Sequence, residues 1–135
     1  DYALSLEGAL KMKEISYIHA EGYPSGELKH GPLSLVTPET IIVSLLTQNR
    51  LLEKSLSNIM EVKARGGKTL AIISEDKELF VKNVVDRYFL IPTILELFSP
   101  VLAIIPLQLL AYYVAEKKGY DLDKPRNLAK SVTVE

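Results

Sequence analysis

Glu7, Lys11 and Glu14 stand four and three residues apart, so on a helix both carboxylates can reach one ammonium. A hundred-degree wheel groups Leu4, Gly8, Met12, Ile15 and Ile18 on one arc, with Lys11 in its middle. A lysine on an apolar arc loses solvation, and a carboxylate pair there can leave an amine or an acid suited to proton transfer near neutral pH. The same spacing also describes a salt-bridged helix surface with a snorkelling lysine. In "GELKHGPLSLV", residues 26–36, Glu27, Lys29 and His30 crowd together before Gly31-Pro32 stops any helix. The His30 imidazole can give and take protons at neutral pH, or simply answer the carbonyl end of a short helical turn. His19, near the edge of the apolar arc, reads as a core or capping histidine. The tail "DLDKPRNLAKSVTVE" brings Arg126, Asn127 and Lys130 onto aperiodic chain, extended or frayed.

The composition narrows the chemistry. With 135 residues the chain fits one domain, 1–135, with a tail from about residue 120. It is 47% hydrophobic and 24% charged with a net charge of −1, which gives no bulk attraction to nucleic acid or an acidic membrane. Cysteine is absent, so disulfides, thiolate metal sites and cysteine nucleophiles drop out, in keeping with a cytoplasmic setting. No two histidines share a helix face at ligand spacing, so no metal site is expected. "ARGGK" has the spacing of neither standard phosphate loop and precedes a strand rather than a helix. "DYALSLEGALK" lacks the pattern of a signal peptide. "ILELFSPVLAIIPLQLLAYYVA", residues 94–115, is long enough to cross a bilayer, yet with Glu96, Gln108 and two prolines it reads as a buried core helix.

The elements that must position these groups follow from periodicity. A helix is expected over residues 4–21, ended by Gly22 and "YPSG", then a helical turn through "ELKH". "TIIVSLL" (40–46) and "TLAIIS" (69–74) read as strands buried on both faces, and "DRYFLIP" (86–92) as a third. Between the first two, Leu52, Leu56, Ile59 and Val62 make a helical stripe that Asn49 can cap and Gly66-Gly67 can end. Ser99 and Pro100 open a last helix to about residue 118, bent at Pro106 and closed by Gly119. The result is an α/β fold, a parallel sheet flanked by helices on both faces. Polar groups beyond the strand ends, residues 47–49, 74–76 and 92–93, are rim candidates by position alone. Three strands make a thin sheet, which suggests a piece of a longer chain.

The stretches "SLEGALKMKEISYIHAEGYPSGELKHGPLSL" and "DKPRNLAKSVTVE" closely resemble the C-terminal sugar isomerase (SIS) domain of the glutamine:fructose-6-phosphate aminotransferases, and specifically its second SIS subdomain. The resemblance spans the whole chain and implies a flavodoxin-like α/β fold. It also implies conversion of fructose 6-phosphate and ammonia to glucosamine 6-phosphate without metal or organic cofactor. By the same resemblance Glu14 matches the base that moves a proton between C1 and C2, and Lys11 its helper on hydroxyl protons. His30 matches the group that assists ring opening and serves the site of a neighbouring subunit in a homodimer. Lys130 matches the lysine that forms a Schiff base with the open-chain sugar, and Ala129 beside it a substrate-contacting position. The glutaminase domain and first SIS subdomain, with its phosphate loop, are expected as partners outside these residues. Where family members read "HAEAYAAGELKHG", this chain has "HAEGYPSGELKHG", and Pro24 should stiffen the turn. The alternatives are an SIS fructosamine-6-phosphate deglycase or isomerase, and an SIS module that binds a sugar phosphate without turnover. The "NLAKSVTVE" ending separates the aminotransferase from the former, and Glu14 with His30 argues against the latter.

Overall fold

A computed structural model describes residues 1–126. Three β-branched, apolar runs form strands β1 (Ile41–Leu46), β2 (Lys68–Ser74) and β3 (Arg87–Ile91), all parallel, in the order β1-β2-β3. Side chains alternate across the sheet, so β2 feeds two cores. Ala71 and Ile73 pack with Leu46, Ile59, Val81 and Val85 beneath helices α2 (Leu52–Lys63) and α3 (Glu78–Val81). Ile72 packs on the other face with Ile91, Ala103 and Leu107, under α1 (Tyr2–Ser16) and α4 (Ser99–Lys117). The fold is the expected parallel sheet with helices on both faces, and all three strands fall within a residue or so of their expected bounds.

Helix ends depart more. α1 stops at Ser16, five residues short of the expected end, because Tyr17 adopts the left-handed conformation (φ 55°, ψ 29°) and breaks the ladder of i to i−4 bonds. His19 therefore lies off the helix, 82% exposed and 3.3 Å from Glu21, and is neither core nor cap. Asn49 does not cap α2 with its side chain. It opens a 3-10 turn, Asn49–Leu51, whose first N–H donates to Glu96 Oε2 at 3.0 Å. Gly66 and Gly119 follow α2 and α4 with φ of 82° and 72°, the left-handed stops that glycine supplies without a Cβ clash.

Among the described residues one stretch, Glu96–Lys117, is long and apolar enough to cross a membrane. Here its small residues Ala103, Ala111 and Ala115 are buried, while Val101 and Ile105 remain exposed. Contact with α1 is close. A Cβ built on Gly8 would lie 3.0 Å from Leu107 Cδ1, so the Leu107 side chain must give way to any larger residue. At the opposite edge of the sheet from the strand carboxyl ends, Asp86 accepts from Thr69 N and Oγ1 at 2.8 and 2.9 Å and pairs with Lys63 at 2.9 Å.

Two outcomes are expected in the full-length protein. Gly8→Val lowers stability by about 1–3 kcal/mol, read by denaturant unfolding, as overpacking of a tight contact does. The Lys63 bond, then those from Thr69, lower the Asp86 carboxyl to about 2 from 3.8. A lowered folded-state value stabilises above the unfolded value and loses that contribution as pH falls through the folded one. Asp86→Asn should therefore melt below the parent at pH 7, and calorimetry should find the gap closing as pH drops from 3.8 toward 2.

Candidate active site

α1 brings its charged trio together as the spacing predicts. Lys11 Nζ lies 2.7 Å from Glu14 Oε2 and 3.4 Å from Glu7 Oε1. The helix buries Gly8, Ala9 and Ser16, so Lys11 sits on the border of the buried face rather than in its middle, with its side chain 32% exposed and that of Glu14 23%. The hydrogen bond to Glu14 raises the Lys11 pKa above its ordinary 10.5, and the neighbouring carboxylate charges add to it, against a smaller opposing effect of burial. Lys11 is therefore a charged donor at neutral pH, not an amine tuned to act as a base, which corrects one half of the expectation from its apolar surroundings.

Lys11 opens onto a shallow pocket of about 360 Å³ between α1 and α4, lined also by Ile15, Ile105, Gln108, Leu109 and Tyr112. Gln108 and Tyr112 bring an amide and a phenol to its apolar wall. Sequence reasoning missed both, although positions 105, 108, 109 and 112 form a one-sided helical stripe that could have disclosed a lining.

His30 ends a 3-10 turn, Ser25–His30. The turn packs on α2, where Lys29 Nζ reaches Glu61 at 3.4 Å and Asn58 Nδ2 donates to Ser25 Oγ at 3.3 Å. Gly31 (φ 150°) redirects the backbone, and Leu33 of the following turn, Pro32–Leu35, is buried as an anchor. The imidazole is left 71% exposed, its Nδ1 2.7 Å from Glu27 Oε2, so a carboxylate and not a helix end answers it. No hydrogen bond or ion pair joins His30 to Lys11 or Glu14 among the described residues. Ala129 and Lys130 lie outside the described residues.

Several strand-end candidates are tied into local contacts. Thr47 Oγ1 donates to Asp1 Oδ1 at 2.7 Å, and Asp76 N donates to Thr93 Oγ1, which donates back to Asp76 Oδ1, both at 3.1 Å. The buried Lys77 ammonium donates to Ser74 Oγ at 2.7 Å and pairs with Asp76 at 3.1 Å. Hydrogen bonding to Ser74, then to Lys77 and Thr93, lowers the Asp76 carboxyl. These groups close the loops instead of facing a ligand. Among the described residues no three His, Asp or Glu cluster as metal ligands.

The SIS domain family matches residues 1–115. The chain belongs to the SIS domain family. Its sequence is 60% identical over 135 residues to the glutamine–fructose-6-phosphate aminotransferase (isomerizing) of Caldanaerobacter subterraneus subsp. tengcongensis and 54% identical to that of Clostridium tetani. It covers all of its own length and 22% of theirs, so this SIS chain spans about a fifth of the curated relatives it matches. Among solved structures, the C-terminal domain of glucosamine-fructose-6-phosphate aminotransferase from Francisella tularensis superposes with a TM-score of 0.84 at 48% identity, over 91% of this chain and 34% of that one. Glucosamine-6-phosphate deaminase from Thermotoga maritima follows with a TM-score of 0.74 at 27% identity, over 97% and 37%.

If the trio on α1 is a surface ion pair, it contributes little to stability. Lys11→Met in the full-length protein should change unfolding free energy by less than about 1 kcal/mol in denaturant titration, the range of exposed pairs. A loss several times larger would make the trio a structural clamp.

Proposed function

We propose that this SIS chain is the isomerising part of a glutamine:fructose-6-phosphate aminotransferase, which converts fructose 6-phosphate and ammonia to glucosamine 6-phosphate. The observation that carries the proposal is the Lys11–Glu14 pair at 2.7 Å, in which Lys11 lines the α1/α4 pocket. It supplies a carboxylate beside a fixed positive charge, next to a shallow space whose wall is apolar but for Lys11, Gln108 and Tyr112. The 60% identity to an aminotransferase across every residue supports the same reaction.

In that reaction ammonia adds to the C2 carbonyl of the open-chain sugar and water leaves, which gives an imine. Protonation of the imine nitrogen acidifies the C1 protons, so a carboxylate is base enough and no metal is required. Glu14 takes one C1 proton, the C1–C2 double bond forms as an enolamine, and Glu14 returns a proton to C2. The C1 hydroxyl proton departs as the aldehyde forms, and the Lys11 ammonium is placed to hold the developing oxygen charge. His30 would act on ring opening in a neighbouring subunit of a homodimer, which its exposure and its separation from Glu14 support. Lys130 would precede ammonia at the ketone, its amine expelling the water as a Schiff base that ammonia then displaces to leave the same imine and the free Lys130 amine, and Ala129 would contact the sugar. We place the enzyme in the cytoplasm, outside the membrane and without cofactor, with the glutaminase domain and the first SIS subdomain supplying ammonia and phosphate contacts.

Glu14→Gln tests this in the full-length enzyme. The amide keeps shape and hydrogen bonding but cannot take a proton, so melting temperature and fructose 6-phosphate affinity should hold. Glucosamine 6-phosphate formation should fall by about two to four orders of magnitude. Exchange of the C1 proton with solvent deuterium should fall in step. Near-parental turnover would remove this helix from the chemistry.

A further inference from the structure

Residues 25–30 wind as a 3-10 helix, and that pitch decides which of their side chains meet. At three residues per turn positions i and i+3 eclipse, so Glu27 stands over His30, an overlap that the 3.6-residue period of an α-helix would offset. Glu27 Oε2 lies 2.7 Å from His30 Nδ1. The nearby Lys29 reaches away to Glu61 of α2 at 3.4 Å, so among the described residues His30 is the one side-chain partner of Glu27. An ionised carboxylate only accepts hydrogen bonds, so this contact requires the proton on Nδ1. In the neutral ring the lone pair then sits on Nε2, which has no hydrogen bond among the described residues and belongs to a side chain 71% exposed.

We propose that Glu27 is a positioning residue for ring opening, which holds His30 in the tautomer that presents a basic Nε2 and steadies the imidazolium formed in the step. The inference rests on the ring-opening role given to His30 above. In the closed sugar, C2 carries a hydroxyl and the ring oxygen O5. His30 Nε2 takes the C2 hydroxyl proton, the O–H electron pair becomes the second bond of the C2 carbonyl, and the C2–O5 bond breaks with its pair on O5. The imidazolium then returns the proton from Nε2 to O5, so His30 ends neutral and no other reactant is consumed. Both halves of the step use the same nitrogen. A starting ring with its proton on Nε2 has no lone pair there for the first half, and an acceptor held at Nδ1 prevents that arrangement. The charge on Glu27 acts in the second half, when it lies against a cation.

Glu27→Ala, Glu27→Gln and His30→Ala in the full-length enzyme test this, each with two substrates. One is fructose 6-phosphate. The other is its 5-deoxy analogue, which lacks the oxygen that closes the ring and enters the reaction already open. Glu27→Ala should keep its melting temperature and lose about tenfold in kcat/KM on fructose 6-phosphate, the size expected for one hydrogen bond to a charged group, while turning over the open analogue at the parental rate. Glu27→Gln should fall between it and the parent, because the amide oxygen still accepts from Nδ1–H but carries no charge. His30→Ala should lose about two orders of magnitude on fructose 6-phosphate alone, and adding Glu27→Ala to it should cost nothing further, since Glu27 acts through His30. An equal loss on both substrates, a parental rate on fructose 6-phosphate in Glu27→Ala, or an additive loss in the double variant would overturn the positioning role. Parental turnover of fructose 6-phosphate by His30→Ala would overturn the ring-opening role itself, and the inference with it.

Discussion

The contact of Gly8 with Leu107 sets where α1 lies, and each group on α1 takes its place from that contact. Leu107 is itself seated in the core with Ile72 of the central strand, so the position of α1 is fixed through α4 to the sheet. With Gly8 against α4, a helical period leaves Lys11 and Ile15 on the flank of the same groove, where α4 supplies Gln108 and Tyr112. A pocket wall made of two helices held by a close-packed core has little freedom to drift, which a proton-transfer geometry requires.

Charge then divides the roles within the trio. Two carboxylates flank one amine, and their attraction with the Glu14 hydrogen bond exceeds the small loss of solvation at a site still in contact with water. An ammonium held this firmly charged can orient a carboxylate and favour negative charge on a substrate oxygen, but it cannot accept a proton. In the proposed reaction base function falls to a carboxylate, and of the two Glu14 has the shorter contact.

The strands, the crossover helix and the charged trio were legible in the sequence because each depends on local periodicity and composition. β-branched runs such as 40–46 leave little alternative to a strand, and the 7, 11, 14 spacing has only one helical geometry. The end of α1 was not legible, since tyrosine carries no preference for the left-handed conformation and its ring finds its partners more than a hundred residues away. The failure at Asn49 has a similar origin, because the group that serves that turn, Glu96, comes from another part of the fold. The pocket residues on α4 lay hidden for a different reason: in a helix apolar nearly all round, periodicity does not tell core from lining.

His30 and Glu14 hang from different layers. The turn that carries His30 is fastened to α2 through Lys29 and Asn58, while α1 is fastened to α4 across the sheet. Gly31 and the buried Leu33 anchor the turn, and its imidazole faces solvent. An imidazole presented outward from a rigid turn is suited to entering a site built by a second copy. On the function proposed above, association of two chains becomes part of the chemistry, with one chain contributing the carboxylate and the other the ring-opening group.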